Sequence, residues 1–493
     1  MSNRSFSLCS DRWLKIAGGR SIGLYELCET NESLNLGGNP LEKYLAFRFL
    51  LALFQNVIRV DNEEEIQDIS IEEMKETLLK YLRKNCNLFE LYDRNRPFLQ
   101  FPSIKSKKPQ LLAGLIPGVS TGNTTVLTEL NSVTKVSDAE KVYVLLQQVM
   151  FAFSGKKPDN SIVLNPTIKK SKSAPASPSV GYLHCFVLGQ DLMHTIWMNL
   201  LTQEALEEVP TLSEGFGVAP WECMPDSEND GISEKIKASY IGRLIPLSRF
   251  CRLDGQYMHF TEGVTIPNIS VSAFADLSIP VSIKQKSGKT EAKGLLAKRE
   301  KQPWRQLDAI LGFCEQEKSF KCKQLSFCLG REGCEGTRVG IWCVGIQLTS
   351  QAGEQYLSGK DGYIESSILL DKNVKESLFF ANYKSEIERL EKLSKVLSMS
   401  VKRYFVDLGS KVSGEDYSRS CVSIFWKESG LLASKLINVC QEKDIEKIFE
   451  LRKEFAEIAL SCFEKVCSSG NSRQILAFAK NRPKVGWYLK KNK

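Results

Sequence analysis

The sequence predicts an α+β fold, with a large mixed N-terminal domain over residues 1–373 and a C-terminal four-helix bundle over residues 374–493. Three observations carry this prediction. At 493 residues the chain exceeds what one hydrophobic core ordinarily spans. Up to residue 373 short β-prone pieces alternate with helical periods, and beyond it the apolar spacing is helical almost throughout. Hydrophobic residues make up 42% and charged residues 25%, which excludes wholesale disorder.

In chain order, Phe6 to Cys9 reads as an opening strand, Gly18-Gly19 as a turn and Ile22 to Leu24 as a second strand. Pro40 opens a helix, its missing N–H being harmless in the first turn. Leu41 to Ile58 is apolar on most sides, as in a buried helix, and the acidic run Asp61 to Glu65 reads as a solvated turn. An amphipathic helix follows from Ile71 to Asn85, then an aromatic-rich turn from Asn87 to Gln100 that ends in an extended X-Pro segment. Residues 105–140 mix turn formers with short β-prone pieces. Val142 to Phe153 is a compact apolar helix or strand, closed by Ser154-Gly155-Lys156-Lys157-Pro158. Lys169 to Ser179, basic and rich in Ser and Pro, reads as a linker. Order returns with a strand at Tyr182 to Leu188 and a helix from Asp191 to Leu201. Strands are expected at Ile279 to Ile283 and Val339 to Ile346, and a helix from Trp304 to Gln316. The bundle segments are Tyr383 to Leu397, Ser418 to Cys440, Asp444 to Cys467 and Gln474 to Leu489.

Several function classes find little support. No uninterrupted apolar stretch approaches the roughly 20 residues that cross a bilayer, and the opening residues lack a secretory h-region, so a cytoplasmic protein is expected. Fifteen scattered cysteines and three histidines show no paired CxxC or His cluster, so neither a metal nor a cofactor is expected. No GxxxxGK[ST] or GxGxxG cradles a nucleotide phosphate. Gly118-Val119-Ser120-Thr121-Gly122 matches the GxSxG elbow, but Pro117 before it and Asn123-Thr124-Thr125 after it are poor strand-to-helix material. The net charge of +8 permits a polyanionic partner without requiring one.

Three stretches suit such a partner, each with an ordinary alternative. Gly155-Lys156-Lys157 is a small loop that permits close backbone approach and offers two ammonium groups, or else a solvated turn. Lys284, Lys286, Lys289, Lys293, Lys298, Arg299 and Lys301 form a basic stretch or a solvated hairpin. Val344 to Tyr356 runs from a strand into a small, polar tip, which is either a thin finger for a groove or a plain hairpin end.

The residues resemble, from end to end, the CasA family, the large subunit of the type I-E CRISPR surveillance complex Cascade. Phe6 to Leu14 resembles the family's opening, and Phe89 to Gln100 its aromatic turn. Leu111-Leu112-Ala113-Gly114, Phe186 to Leu192, Asn199 to Thr202, Ala219-Pro220-Trp221-Glu222 and Gln302-Pro303-Trp304 are similar to further family segments in order. The resemblance implies a non-enzymatic subunit that reads the protospacer-adjacent motif (PAM) in target double-stranded DNA, initiates strand separation for the R-loop and helps recruit the helicase–nuclease. Its implied partners are a crRNA-containing complex with backbone, small and end-capping Cascade subunits.

Residue by residue, Ser350-Gln351-Ala352 aligns with the family's glutamine wedge, and Gly155, Lys156 and Lys157 with its glycine loop in the minor groove. Gln256 falls where the family carries a lysine beside that groove, with Lys289 or Lys293 as compensating cations. Asn123 matches an asparagine facing the guide-RNA end or a protein neighbour, and Lys402, Arg403, Lys484, Lys490 and Lys491 are expected along the displaced strand. Two rivals remain: a stand-alone single-stranded nucleic-acid-binding protein, and a serine hydrolase using Ser120 with His184, His194 or His259.

Overall fold

A computed structural model describes residues 4–117, 135–153, 159, 162, 164, 176–270, 273–286, 289–312, 320–331, 338–348, 362–371, 377–409, 414–442 and 444–490. The chain divides into two compact units, one of residues 1–299, 309–336 and 340–367, the other of residues 300–308, 337–339 and 368–493. The fold class is α+β, with a predominantly helical C-terminal part.

The first unit begins with β1 (Leu14–Lys15) paired antiparallel to β2 (Ser21–Ile22). The expected strand over Phe6 to Cys9 does not form. The Asp11 carboxylate takes the Ser7 N–H at 2.7 Å and the Asp11 N–H returns to the Ser7 carbonyl at 2.8 Å, so the chain turns. Helix α1 (Leu24–Glu29) leads to α2 (Pro40–Val57), which opens with a full capping box between Asn39 and Glu42. Leu41 and Tyr44 to Gln55 are buried on every side of α2, making it the centre of this core. The acidic run is a helix, α3 (Glu63–Asp68). Asn62 caps it, three glutamates sit in the first turn where the helix dipole favours them, and Ile66 is buried. The amphipathic α4 (Ile71–Lys84) turns Met74, Leu78 and Leu82 inward.

Then follow β3 (Gln110–Leu111), α5 (Asp138–Met150), β4 (Leu183–Leu188), α6 (Leu192–Asn199), α7 (Gln203–Glu207), α8 (Gly231–Lys237) and α9 (Tyr240–Leu244). Next come β5 (Arg249–Asp254), β6 (Tyr257–Glu262), β7 (Val281–Lys286) and β8 (Lys289–Gly294). A 3-10 turn at Pro303–Gln306 precedes α10 (Leu307–Leu311), then β9 (Phe320–Lys321), α11 (Lys323–Cys328), β10 (Arg338–Gln347) and β11 (Gly362–Asp371). Three small sheets run in the orders β11-β10-β4, β3-β6-β5 and β8-β7-β9. Phe47 of α2 packs edge-on against Phe186 of β4 and Trp342 of β10, with ring centroids 4.9 and 5.4 Å away. Residues 176–179, at the end of the expected linker, are built into this core: Ser177 and Ser179 are buried and hydrogen-bonded.

The second unit carries α12 (Ser377–Asp407), α13 (Gly414–Gly430), α14 (Ala433–Glu442), α15 (Ile445–Val466) and α16 (Ser472–Asn481). The segment read as one helix from Ser418 to Cys440 is two, α13 and α14, parted after Gly430. Along α12 the buried residues Leu390, Leu393, Leu397, Val401 and Tyr404 repeat at spacings of three and four, the seam of a bundle.

Candidate nucleic-acid interface

The hairpin of β5 and β6 closes through Gly255-Gln256, with Asp254 opposite Tyr257. Gly255 has φ of 60°, the left-handed first position of a II′ turn that a side chain would strain. Strand β3 adds to the β6 edge and brings the Leu112 N–H to the Gln256 carbonyl at 2.9 Å. The Gln256 side chain, half-buried, accepts from the Val136 N–H at 2.8 Å and donates to the Val136 carbonyl at 3.1 Å. Gln256 therefore engages the chain on both sides of residues 118–134. Asn123 and Ser120 belong to that stretch, outside the described residues.

Helix α5, which begins two residues after Val136, runs along the same hairpin to its open end. There the Val149 carbonyl accepts from Ser248 N–H at 2.8 Å, and the Phe153 carbonyl accepts from the buried Arg249 guanidinium at 3.1 Å. Asp159 N–H donates to the Phe260 carbonyl at 3.0 Å. Gly155, Lys156 and Lys157 lie outside the described residues, but both flanks of their loop are tied to β5 and β6. The 13 residues of α5 separate the two loop roots by about 20 Å.

Ser350, Gln351 and Ala352 also lie outside the described residues, between Gln347 at the end of β10 and Gly362 at the start of β11. The root is tightly built. Gln347 Oε1 accepts from the Arg299 N–H at 2.6 Å. A β-carbon on Gly362 would stand 2.6 Å from Arg299 Cδ, so a side chain there would push the Arg299 side chain aside. Upstream of Arg299, Ala297 N–H donates to the Gly181 carbonyl at 3.0 Å, and the Leu295 carbonyl accepts from Leu183 N–H at 2.9 Å.

Residues 177–183 thus form a strap between two roots. At one end Ser177 N–H reaches the Ala152 carbonyl at 2.8 Å and its hydroxyl the Met150 carbonyl at 2.8 Å, beside the Gly155 loop. At the other end the strap holds residues 295–297, which continue to the root of the β10–β11 connection. Ser179 anchors the middle, donating to Asp276 at 2.8 Å. Asp276 is ion-paired with Arg48, which also donates to the Leu244 carbonyl at 2.7 Å, all of it buried in the core. Burial alone would raise the Asp276 carboxyl, but Arg48, His184 and the Ser278 hydroxyl hold it well below the usual carboxylate range. His184 donates from Nε2 to the Ser179 carbonyl at 2.9 Å, and its Nδ1 faces the Ser278 and Tyr44 hydroxyls at 2.8 and 3.3 Å. Burial pushes this imidazole down to about 4, so it is neutral.

The basic stretch feeds the same root. In the β7–β8 hairpin Ala292 faces a buried cluster with Ile269, Ile279 and Val281, while Lys293, opposite Ser282, is exposed. Lys289 pairs with Lys286 in the register nearest the hairpin tip. From Lys293 the chain passes through exposed Lys298 and Arg299 to Gln347. The strap serines and the Arg299–Gln347 bond were missed in sequence. Arg299 stood within the basic run, but nothing in the pattern marked its partner.

Of the remaining candidates, His194, His259 and Lys402 are locally engaged. His194 Nδ1 lies 2.7 Å from Asp191, and His259 Nδ1 accepts from the Ser106 N–H at 2.9 Å. Lys402 pairs with Glu415 at 2.7 Å, and the Lys490 carbonyl accepts from Arg452 at 2.9 Å; Arg403, Lys484 and Lys490 are exposed, and Lys491 lies outside the described residues. Among the described residues no cluster of His, Cys, Asp or Glu is placed to hold a metal, and no helix is long and apolar enough to cross a membrane.

Among curated proteins no match is found. Solved structures share the fold. Thermobifida fusca Cse1 superposes with a TM-score of 0.78 at 16% identity, covering 99% of this chain and 98% of its own. Thermus thermophilus CasA does so with a TM-score of 0.71 at 19% identity, covering 99% of each chain. A chain of a CRISPR RNA-guided surveillance complex gives 0.69 at 16% identity, covering 97% of this chain and 99% of its own. The family model for CRISPR-associated protein Cse1 matches residues 7–462, and the chain therefore belongs to the Cse1 (CasA) family, the large subunit of type I-E Cascade.

Proposed function

We propose that this chain, as the large subunit of a crRNA-containing surveillance complex, reads the PAM of target double-stranded DNA. It then starts strand separation and helps recruit a helicase–nuclease, without bond-making chemistry of its own. Its partners are the backbone, small and end-capping subunits, and it works in the cytoplasm. The observation that supports this reading is the strap. It ties the root of the Gly155-Lys156-Lys157 loop to the root of the connection carrying Ser350, Gln351 and Ala352, with exposed Lys293, Lys298 and Arg299 leading into the latter. A phosphate-binding loop and a separating side chain are useful together only when their spacing is fixed. Each stacked step costs about 1.4 kcal/mol to open, and the RNA–DNA hybrid offsets this as it forms, so the protein need only hold the duplex and open the first pair.

The test is Gln351→Ala in the assembled complex. R-loop formation on linear duplex should fall at least tenfold, while binding to a target already melted beside the PAM should stay within about twofold. Equal loss on both substrates rejects the wedge.

A further inference from the structure

We propose that Gln256 is a positioning residue that ties Leu112 and Val136, on either side of residues 118–134, to the β5–β6 turn, and that it makes no DNA contact. The inference rests on the interface reading above and reassigns one residue within it. An amide side chain has one acceptor edge and one donor edge. In Gln256 the acceptor takes the Val136 N–H at 2.8 Å and the donor serves the Val136 carbonyl at 3.1 Å. Its backbone carbonyl takes the Leu112 N–H at 2.9 Å. Three polar groups of one residue thus join two points 24 positions apart in sequence. Without such a staple, closing a stretch of that length is opposed by chain entropy. The II′ turn at Gly255 fixes the backbone from which the side chain reaches. The requirement is specific to glutamine: asparagine is one methylene short, glutamate has no donor at neutral pH, and lysine has no acceptor.

The sign of one substitution separates this role from a phosphate contact. In the assembled complex, Gln256→Lys should weaken binding of a PAM-bearing duplex severalfold with an unchanged salt slope. Exchange of the Val136 amide, followed by mass spectrometry of the full chain, should quicken about tenfold. Tighter binding with a salt slope steeper by about one would make position 256 a DNA contact and overturn the proposal, as would unchanged exchange at Val136. Gln256→Glu supplies a second readout. Protonation gives the carboxyl both a donor and an acceptor edge, and an ordinary glutamate takes its proton near pH 4.3, so acidification from pH 7.5 to 4.0 should narrow its deficit in Val136 protection relative to wild type. A deficit independent of pH rejects the staple. Should the wild-type complex itself fail to discriminate PAM-bearing from PAM-free duplex, the interface reading falls, while Val136 exchange still tests Gln256.

Discussion

His184 is a buried imidazole that the core of the first unit holds in its neutral form. Tyr44 and Arg48 from α2 and Asp276 from the chain before β7 surround it, and its Nε2–H is committed to the strap carbonyl of Ser179. In the unfolded chain an imidazole takes its proton near pH 6.5, whereas the folded one stays neutral to about 4. Unfolding therefore takes up a proton across this window, so stability is complete above about pH 6.5 and falls as pH drops toward 4. The loss is at most about 3 kcal/mol. Asp276 has the same sign at lower pH, because its folded carboxyl is held below the unfolded value near 3.9, so it does not mask the histidine. Denaturant melts at pH 7.5, 5.5 and 4.5 should show the midpoint falling, and His184→Gln should flatten that fall whatever its effect at pH 7.5. An equally steep fall in the variant would assign the acid sensitivity elsewhere.

At the scale of elements, the C-terminal helices combine an apolar seam with one buried ion pair. Arg452 of α15 donates through Nε to Glu386 of α12 at 2.8 Å and through Nη1 to the Lys490 carbonyl at 2.9 Å, joining two helices and the terminal segment. Both side chains are 5% exposed, so removing one partner strands a buried charge. Arg452→Ala should cost about 3–5 kcal/mol in thermal or denaturant melts of the full chain. Replacing the pair together, Arg452→Met with Glu386→Leu, should recover most of it, and a double variant no better than the single one would argue against stranded charge as the cause. The seam was legible as far as Leu397, because Leu390, Leu393 and Leu397 keep helical spacing in the sequence, whereas α12 runs on past Val401 to Asp407. Helix α2 was legible for a related reason, its Pro at the first turn and its continuous apolar run. Helix α3 was missed because its acidic residues resemble a solvated turn until Asn62 is seen as a cap and Glu63 as the partner of Arg331. The break between α13 and α14 was missed because the apolar period continues through Leu431 and Leu432.

At the scale of the whole molecule, the proposed interface depends on bonds that leave no periodic trace. Ser177 and Ala152 are 25 positions apart, and Arg299 and Gln347 are 48 apart, yet each bond fixes where a loop leaves the core. Composition exposed the loops as lysines and small residues; their shared support came only from the fold. A net charge of +8 on 493 residues is too dilute to hold a duplex by itself, so the proposed function requires its affinity to come from cations gathered at a few roots. In the assembled complex, Lys156→Ala with Lys157→Ala should then lower affinity for PAM-bearing duplex and reduce the slope of log K against log salt by about two, one for each phosphate no longer neutralised. Titrations between 50 and 200 mM salt, on duplexes with and without the PAM, measure both. If the slope changes equally on the two duplexes, the lysines hold phosphate without reading sequence, and discrimination resides with the backbone of the same loop. If the slope is unchanged, the loop is a solvated turn. The strap then positions Gln351 alone, and the electrostatic hold falls to Lys293, Lys298 and Arg299.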